Sequence, residues 1–216
     1  MEESLRKVGR PNNVTHARER LIHYARELFV VMPYDKVSTR LIAQKAGVNI
    51  AMIRYYFGSK AGLFETMLRE TFIPMQQQMH KLVVEGSHKH LADLMRTYYR
   101  EMLNVPQFPR LVMQVMQMPS SDSQRKLVEK VIFDVTQPVQ EIIFEKLKQQ
   151  GVIRPEMDPQ LCRVSYISLM VFPFLAPPAL FAVHGIELTD EFLERLYEHN
   201  ILLMTQGFIL PTANKD

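Results

Sequence analysis

Cysteine is almost missing: Cys162 is the only one in 216 residues. No disulfide can form within the chain, and a zinc site built on several thiolates is excluded. That count fits a reducing compartment. Glycine is low, at eight, and alternating runs of strand type are scarce, so the expected class is all-α. No apolar run free of both charge and proline approaches the ~18 residues that would cross a bilayer. The longest apolar stretch, ISLMVFPFLAPPALFAV over 167–183, holds three prolines and reads as buried core. The opening MEESLRKVGRPNN lacks an apolar signal core, so a cytoplasmic protein with no membrane partner is expected. Repeats and low-complexity segments are absent.

What is present is uneven charge. Residues 1–60 carry eleven Lys/Arg against five Asp/Glu, a net +6, while 61–216 carry fifteen against eighteen, a net −3. A basic head on a mildly acidic body points to a polyanion as the head's partner.

Helical spacing runs through most of the chain. Val14, Ala17, Leu21, Ala25, Leu28 and Met32 form one stripe of a first helix that follows Thr15 and stops at Pro33. Ser38 caps a second, with Ile42, Ala43 and Ala46 inward and Gly47 at its end. Asn49 caps a third. Ser59 caps a fourth, which Pro74 should kink or break. Beyond residue 86, ADLMRTYYREML (92–103) and PRLVMQVMQM (109–118) read as helices. A Ser121/Gln124 capping box opens another that runs to about Gln150, with a bend at Pro138. Asp158–Pro159 starts an apolar helix over 159–183, and Thr189 starts the last, which closes near Gly207 and Pro211.

The segment STRLIAQKAGVNIAMIRYYFGSK (38–60) joins two short helices through a tight AGVN corner, a helix-turn-helix arrangement. At about 100° per residue, Ile50, Ile53 and Phe57 fall on the core side of its second helix. Ala51 and Tyr55 lie opposite, flanked by Met52 and Arg54. That face suits DNA better than water. A small residue admits bases closely, arginine can pair with guanine, and tyrosine hydroxyls bond phosphates. Ser38 and Thr39 add hydroxyls and free amides at a helix start, where phosphate binds readily. Arg40 points the same way, and Lys60 opens the fourth helix beside another set of amides. Upstream, RKVGRP (6–11), including Arg10, makes a basic arm suited to a backbone or a minor groove. The DNA-facing set is therefore Arg10, Ser38, Thr39, Arg40, Asn49, Ala51, Met52, Arg54, Tyr55, Tyr56 and Lys60.

Residues from about 10 to 64 resemble the DNA-binding domain of the tetracycline-repressor (TetR) family of bacterial transcription regulators. The resemblance rests on the GRP arm at 9–11, the first helix ending in ELF, VSTRLIAQKAGVN, and IRYYFGSKAGLF at 53–64. It covers about a quarter of the chain. It implies that Arg40 reads a base, that Ala51, Met52 and Tyr55 line the groove, and that Thr39, Tyr56 and Lys60 hold phosphates. Arg54 stands where the family often has an aromatic residue, which leaves base reading and phosphate binding both open. The resemblance further implies that the rest of the chain dimerises and binds an effector.

The expected organisation is a three-helix DNA-binding head, 1–58, and a helical ligand-binding and dimerisation body, 59–216. Phe108, Met113, Met116, Met170, Phe174 and Phe181 are candidates for an apolar pocket, since methionines and proline breaks suggest adaptable space. Phe192, Leu193, Leu196, Leu203 and Met204 give the last helix an apolar face for a homodimer. His88 and His90 do not share a helical face, and no acidic or thiol cluster is near; they read as loop residues, with no metal expected. Cys162 reads as a small buried hydrophobe. No grouping of nucleophile, base and orienter can be found, so neither enzyme chemistry nor a cofactor is expected. The function implied is an effector-responsive, dimeric repressor of a near-palindromic operator. Its rival is a DNA-binding regulator whose body recruits a protein instead of a small molecule.

Overall fold

The computed structural model describes residues 13–136 and 143–210, with side chains from residue 16. Arg10 and its arm, the burial of Val14, and the expected bend at Pro138 and stop at Pro211 lie outside the described residues. The chain divides into two compact units, Met1–Met67 and Leu68–Asp216. This division lies beyond the 58/59 break expected from sequence, inside a helix whose first turns bury Leu63, Phe64 and Met67.

In the first unit, α1 (Asn13–Val31) turns Ala17, Leu21, Ala25 and Leu28 inward. Ile22 and Phe29 are buried too, which widens the expected stripe to a broad face. Thr15 lies inside α1 instead of preceding it. Pro33 follows the helix, and a 3-10 turn over Tyr34–Lys36 leads onward. α2 (Thr39–Ala46) begins where Ser38 Oγ accepts the Leu41 N–H at 3.1 Å. It ends at Gly47, whose φ of 60° and ψ of 38° lie in the left-handed region, where a side chain is strained. Arg20 donates to the Gly47 carbonyl at 2.8 Å and fastens that corner to α1.

α3 (Ala51–Phe57) starts one residue later than a cap at Asn49 would place it, with Ile50 in the cap position. Asn49 still supplies the capping bond: its Oδ1 accepts the Ala51 N–H at 2.8 Å. α4 (Lys60–Glu85) starts at Ser59, whose Oγ accepts the Gly62 N–H at 3.1 Å. A β-carbon on Gly62 would collide with the Phe57 carbonyl oxygen, so this close junction of α3 and α4 requires glycine. Phe29, Tyr34 and Phe64 form an aromatic cluster with ring centroids 4.8–5.3 Å apart. Burying a large apolar side chain of this kind contributes roughly 1.5–3 kcal/mol.

α4 continues through Pro74 without interruption, so the break allowed for there does not occur. In the second unit follow α5 (His88–Asn104), α6 (Phe108–Met116), α7 (Ser123–Thr136), α8 (Ile143–Gln149), α9 (Pro159–Leu175), α10 (Pro178–Val183) and α11 (Asp190–Gly207). α9 is central and packs against α5, α6 and α8, while α11 packs on α5. A short antiparallel bridge, Ile153 with Ile209, ties the segment after α8 to the end of α11.

Three sequence expectations change here. α7 is capped by Asp122, not by a Ser121/Gln124 box: Asp122 Oδ1 accepts the N–H groups of Gln124 and Arg125 at 2.8 and 3.0 Å. A carboxylate at the positive end of a helix displaces the weaker hydroxyl. The apolar run 159–183 is two helices, because Ala176 is extended (ψ 137°) ahead of Pro177–Pro178. His88 and His90 sit in the first turn of α5, not in a loop. His90 Nδ1 is 2.8 Å from Ser87 Oγ, and Nε2 is 3.1 Å from Glu85.

Three side chains inside the second unit are joined by hydrogen bonds that cross between helices. Tyr99 donates to the Leu169 carbonyl at 2.8 Å, and Asn200 Nδ2 donates to Tyr99 Oη at 2.9 Å. Tyr166 donates to the Leu91 carbonyl at 2.7 Å. These bonds stitch α5, α9 and α11 together. Burial pushes all three phenols among Tyr98, Tyr99 and Tyr166 upward, Tyr99 to about 12. Cys162 is buried, and burial likewise shifts its thiol upward.

Candidate nucleic-acid interface

α2 and α3 bring three of the expected DNA-facing residues, Thr39, Ala51 and Arg54, together in the first unit. Thr39, Ile50, Ala51 and Arg54, with Gly58 and Ser59, line a shallow concavity of about 270 Å³. Arg40, Ala51 and Arg54 are exposed, and Tyr55 is 76% exposed. Met52 and Tyr56 are half-buried, and the Tyr56 ring meets Tyr55 edge-on at 4.9 Å. Neither Arg40 nor Arg54 has an ion-pair partner among the described residues. An exposed phenol, two guanidinium groups and a small residue are side chains suited to phosphates and base edges.

Ile50 departs from the helical wheel. It is 48% exposed, whereas of its expected core partners Ile53 is buried and Phe57 half-buried. The Ile50 backbone is itself helical (φ −56°, ψ −30°), so the step between residues holds; Ile50 lies at the border of the core side and is left uncovered there. Ile50 thus joins the exposed face. Ser38 and Asn49 are exposed, but their side-chain oxygens are engaged in capping α2 and α3. Lys60 differs most. Its Nζ donates to the Tyr34 and Val37 carbonyls, each at 3.0 Å, and lies 4.0 Å from the centre of the Tyr34 ring.

The second unit holds a cavity of about 530 Å³ between α4, α5, α7, α8 and α9. Met79 and Leu82 of α4, Ile132 of α7, Phe144 of α8 and Ile167 and Met170 of α9 are among its walls. Two of its polar lining groups are committed within the fold: Thr136 donates to the Ile132 carbonyl at 2.8 Å, and Tyr166 bonds Leu91. Of the pocket residues expected from sequence, only Met170 lines it. Phe108 packs edge-on against Phe72, and Phe174 sits between Tyr98 and Tyr99. Met113 is exposed, Met116 half-buried, and Phe181 lies beside Phe172. Met75, Met79 and Leu82 recur at helical spacing in α4 and were the available signal; a run assigned to a linking helix gave no reason to single them out.

Of the residues expected at a dimer face, Leu193 and Met204 are buried within their own chain, with Tyr197 and Asn200. Phe192 and Leu196 are half-buried, and Leu203 is exposed beside Leu202. α9 adds Leu161, Val164 and Phe172, all exposed, with Leu161 at 67%. A periodic stripe shows that a helix has an apolar face but not which neighbour covers it. No helix among the described residues is long and apolar enough to cross a membrane.

Comparison with known proteins agrees with this geometry. Residues 21–67 match the family described as bacterial regulatory proteins, tetR family, and residues 80–214 match the tetracyclin repressor-like C-terminal domain. The Bacillus subtilis (strain 168) protein named Probable HTH-type transcriptional regulator YttP is 26% identical over 203 residues, covering 85% of this chain and 89% of its own. Among solved structures, NalD, the secondary repressor of the MexAB-OprM multidrug efflux pump in Pseudomonas aeruginosa, superposes with a TM-score of 0.66 at 20% identity, covering 94% of this chain and 100% of its own. The fatty acid degradation regulator FadR from Bacillus halodurans also gives 0.66, at 18% identity, covering 88% and 95%. A helix-turn-helix match at the head and a C-terminal match across more than half of the chain have one meaning: the protein belongs to the TetR family of bacterial transcriptional regulators.

Proposed function

We propose that the protein is a homodimeric repressor that binds a near-palindromic operator and releases it when a small apolar effector occupies the second unit. The observation that carries this reading is the exposed α3 face, where Ala51 and Arg54 share a concavity with Thr39 of α2, with Tyr55 of α3 and Arg40 of α2 also exposed. In a two-fold dimer, two such faces enter successive major grooves about 34–36 Å apart. Head and body are taken as 1–58 and 59–216, with α4 carrying the signal from one to the other. The exposed apolar rows of α9 and α11, Leu161, Val164 and Phe172 with Leu202 and Leu203, supply the dimer contact.

The cavity supports a small effector over a recruited protein, because its size falls in the range of about 300–1,000 Å³ typical of ligand pockets and its walls are mostly apolar. An effector that binds better to a conformer with a different α3–α3′ spacing lowers DNA affinity by population shift. Occupancy of an operator blocks polymerase, and NalD, which shares this fold, is described as a repressor. The decisive experiment selects bound fragments from a genomic library and compares wild type with Arg40→Ala and Tyr55→Ala by gel shift. Each substitution is expected to cost about 1–3 kcal/mol of specific binding with the fold intact. Wild-type affinity in both variants would rule out this face as the reading surface.

A further inference from the structure

Three polar side chains stand among the described residues that line the cavity of the second unit: Thr136, Arg163 and Tyr166. The two hydroxyls commit their protons inside the fold, Thr136 to the Ile132 carbonyl at 2.8 Å and Tyr166 to the Leu91 carbonyl at 2.7 Å. A hydroxyl has one proton to donate, so neither offers a donor to a guest. Arg163 differs. It too is engaged within the chain, but a guanidinium carries five N–H donors and a fixed positive charge. An internal partner therefore leaves it able to bond a second group.

Its place on α9 gives the cavity two unlike ends. Arg163, Ile167 and Met170 recur at i, i+4 and i+7, so they follow one another along the face of α9 that the cavity meets. Helical side chains lean toward the N-terminus. Arg163, half-buried, thus marks the end of the row nearer the start of α9, and the buried Met170 marks the other. Ile167, one turn from Arg163, is exposed, so this wall runs from the surface inward.

No Asp or Glu is found among the described lining residues. A cationic guest would meet Arg163 with no acid to hold it. A neutral guest that fills the space strips water from the guanidinium and returns nothing for it. An anionic head offsets that loss through charge-assisted, two-pronged hydrogen bonds. One guanidinium balances one negative charge, which suits a carboxylate better than a phosphate dianion.

We propose that the effector is an amphiphile with a single carboxylate on an apolar body, and that Arg163 selects it: the carboxylate pairs with the guanidinium, and the body lies along Ile167 and Met170 against Phe144. This rests on the cavity being the effector site, as proposed above, and adds the chemistry of the effector's head.

Full-length wild type, Arg163→Gln and Arg163→Lys are titrated by calorimetry at pH 7 with decanoate, decan-1-ol and decyltrimethylammonium, and with 2-naphthoate and 2-naphthol as a second body shape. Methyl spectra of methionine-labelled protein locate each guest through Met79 and Met170, which line the cavity from α4 and α9. Wild type is expected to bind each carboxylate about tenfold or more tighter than its alcohol, and the ammonium most weakly. Arg163→Gln should erase that preference, with the alcohols bound as well as before or better. Arg163→Lys should restore part of it, since lysine keeps the charge but lacks the planar fork. An alcohol or the ammonium bound as tightly as the carboxylates, with Met79 and Met170 shifted, overturns the proposal and leaves the cavity an effector site; so does a carboxylate preference that survives in Arg163→Gln. If Arg163→Gln does not fold, the wild-type Arg163 Nε resonance decides: decanoate must move it and decan-1-ol must not. No shift of Met79 or Met170 with any of the five guests defeats the cavity's role and this inference together.

Discussion

Asn200 shows how much a single buried amide can organise. It is 2% exposed, and its Nδ2 lies 2.9 Å from Tyr99 Oη and 3.3 Å from the Leu169 carbonyl, so one side chain on α11 meets two neighbouring helices. Asn200→Leu removes both bonds but leaves Tyr99 its own donor bond to Leu169. The expected loss is about 1–3 kcal/mol, read as a melting temperature lower by roughly 2–4 °C per kcal/mol. The same cluster sets an alkaline limit. Tyr99 titrates near 10 when unfolded and is pushed up to about 12 by burial when folded. A raised phenol contributes stability that is complete below pH 10 and is lost as pH climbs from about 10 toward 12. Melts recorded with tyrosinate absorbance should therefore show no contribution from these phenols between pH 7 and 9 and a fall in stability above 10. None of this was legible in the sequence. YY in an amphipathic run and a lone Asn 101 residues later carry no mark of their pairing, which only the packing of α5 on α11 creates.

α2 was the most readable stretch, because its signals are local. Ser38, Gly47 and the inward Ile42, Ala43 and Ala46 each act within a few residues, and the structure places all five as their chemistry requires. α4 was readable at its start, through Ser59, but Gly62 gave no hint of its task. The requirement comes from the Phe57 carbonyl across the turn, a contact between helices and not a property of either. Gly62→Ala must push α3 from α4, so DNA affinity should fall at least tenfold, the scale expected when recognition groups shift by a fraction of an ångström to an ångström. Gly207→Ala is the control: no atom would lie within 4 Å of its β-carbon, and the gain of a better helix former is expected to stabilise by up to ~1 kcal/mol. α9 and α10 were misread as one helix for a related reason. Apolar periodicity continues through 176–178, but backbone donors do not, and two successive prolines remove them.

Taken as a whole, the chain declared its fold class and its family through composition and one motif. Its cavity and outer faces stayed hidden, because walls drawn from five helices have no common sequence spacing. The exposed rows on α9 and α11 lead to a direct test of assembly. Leu161→Glu combined with Leu203→Glu should halve the mass measured by light scattering and weaken operator binding roughly 10²-fold or more, since two linked half-sites become independent. Retention of the two-chain mass would place the contact elsewhere. Cys162 has a practical bearing on the same question. The sole native thiol is buried inside the second unit, so it should resist alkylation under native conditions. A cysteine introduced at Tyr55 would then be the one reactive handle per chain. In the dimer proposed above, a pair of spin labels placed there would report the α3-to-α3 separation directly, with and without a candidate effector, in protein whose interior has not been altered.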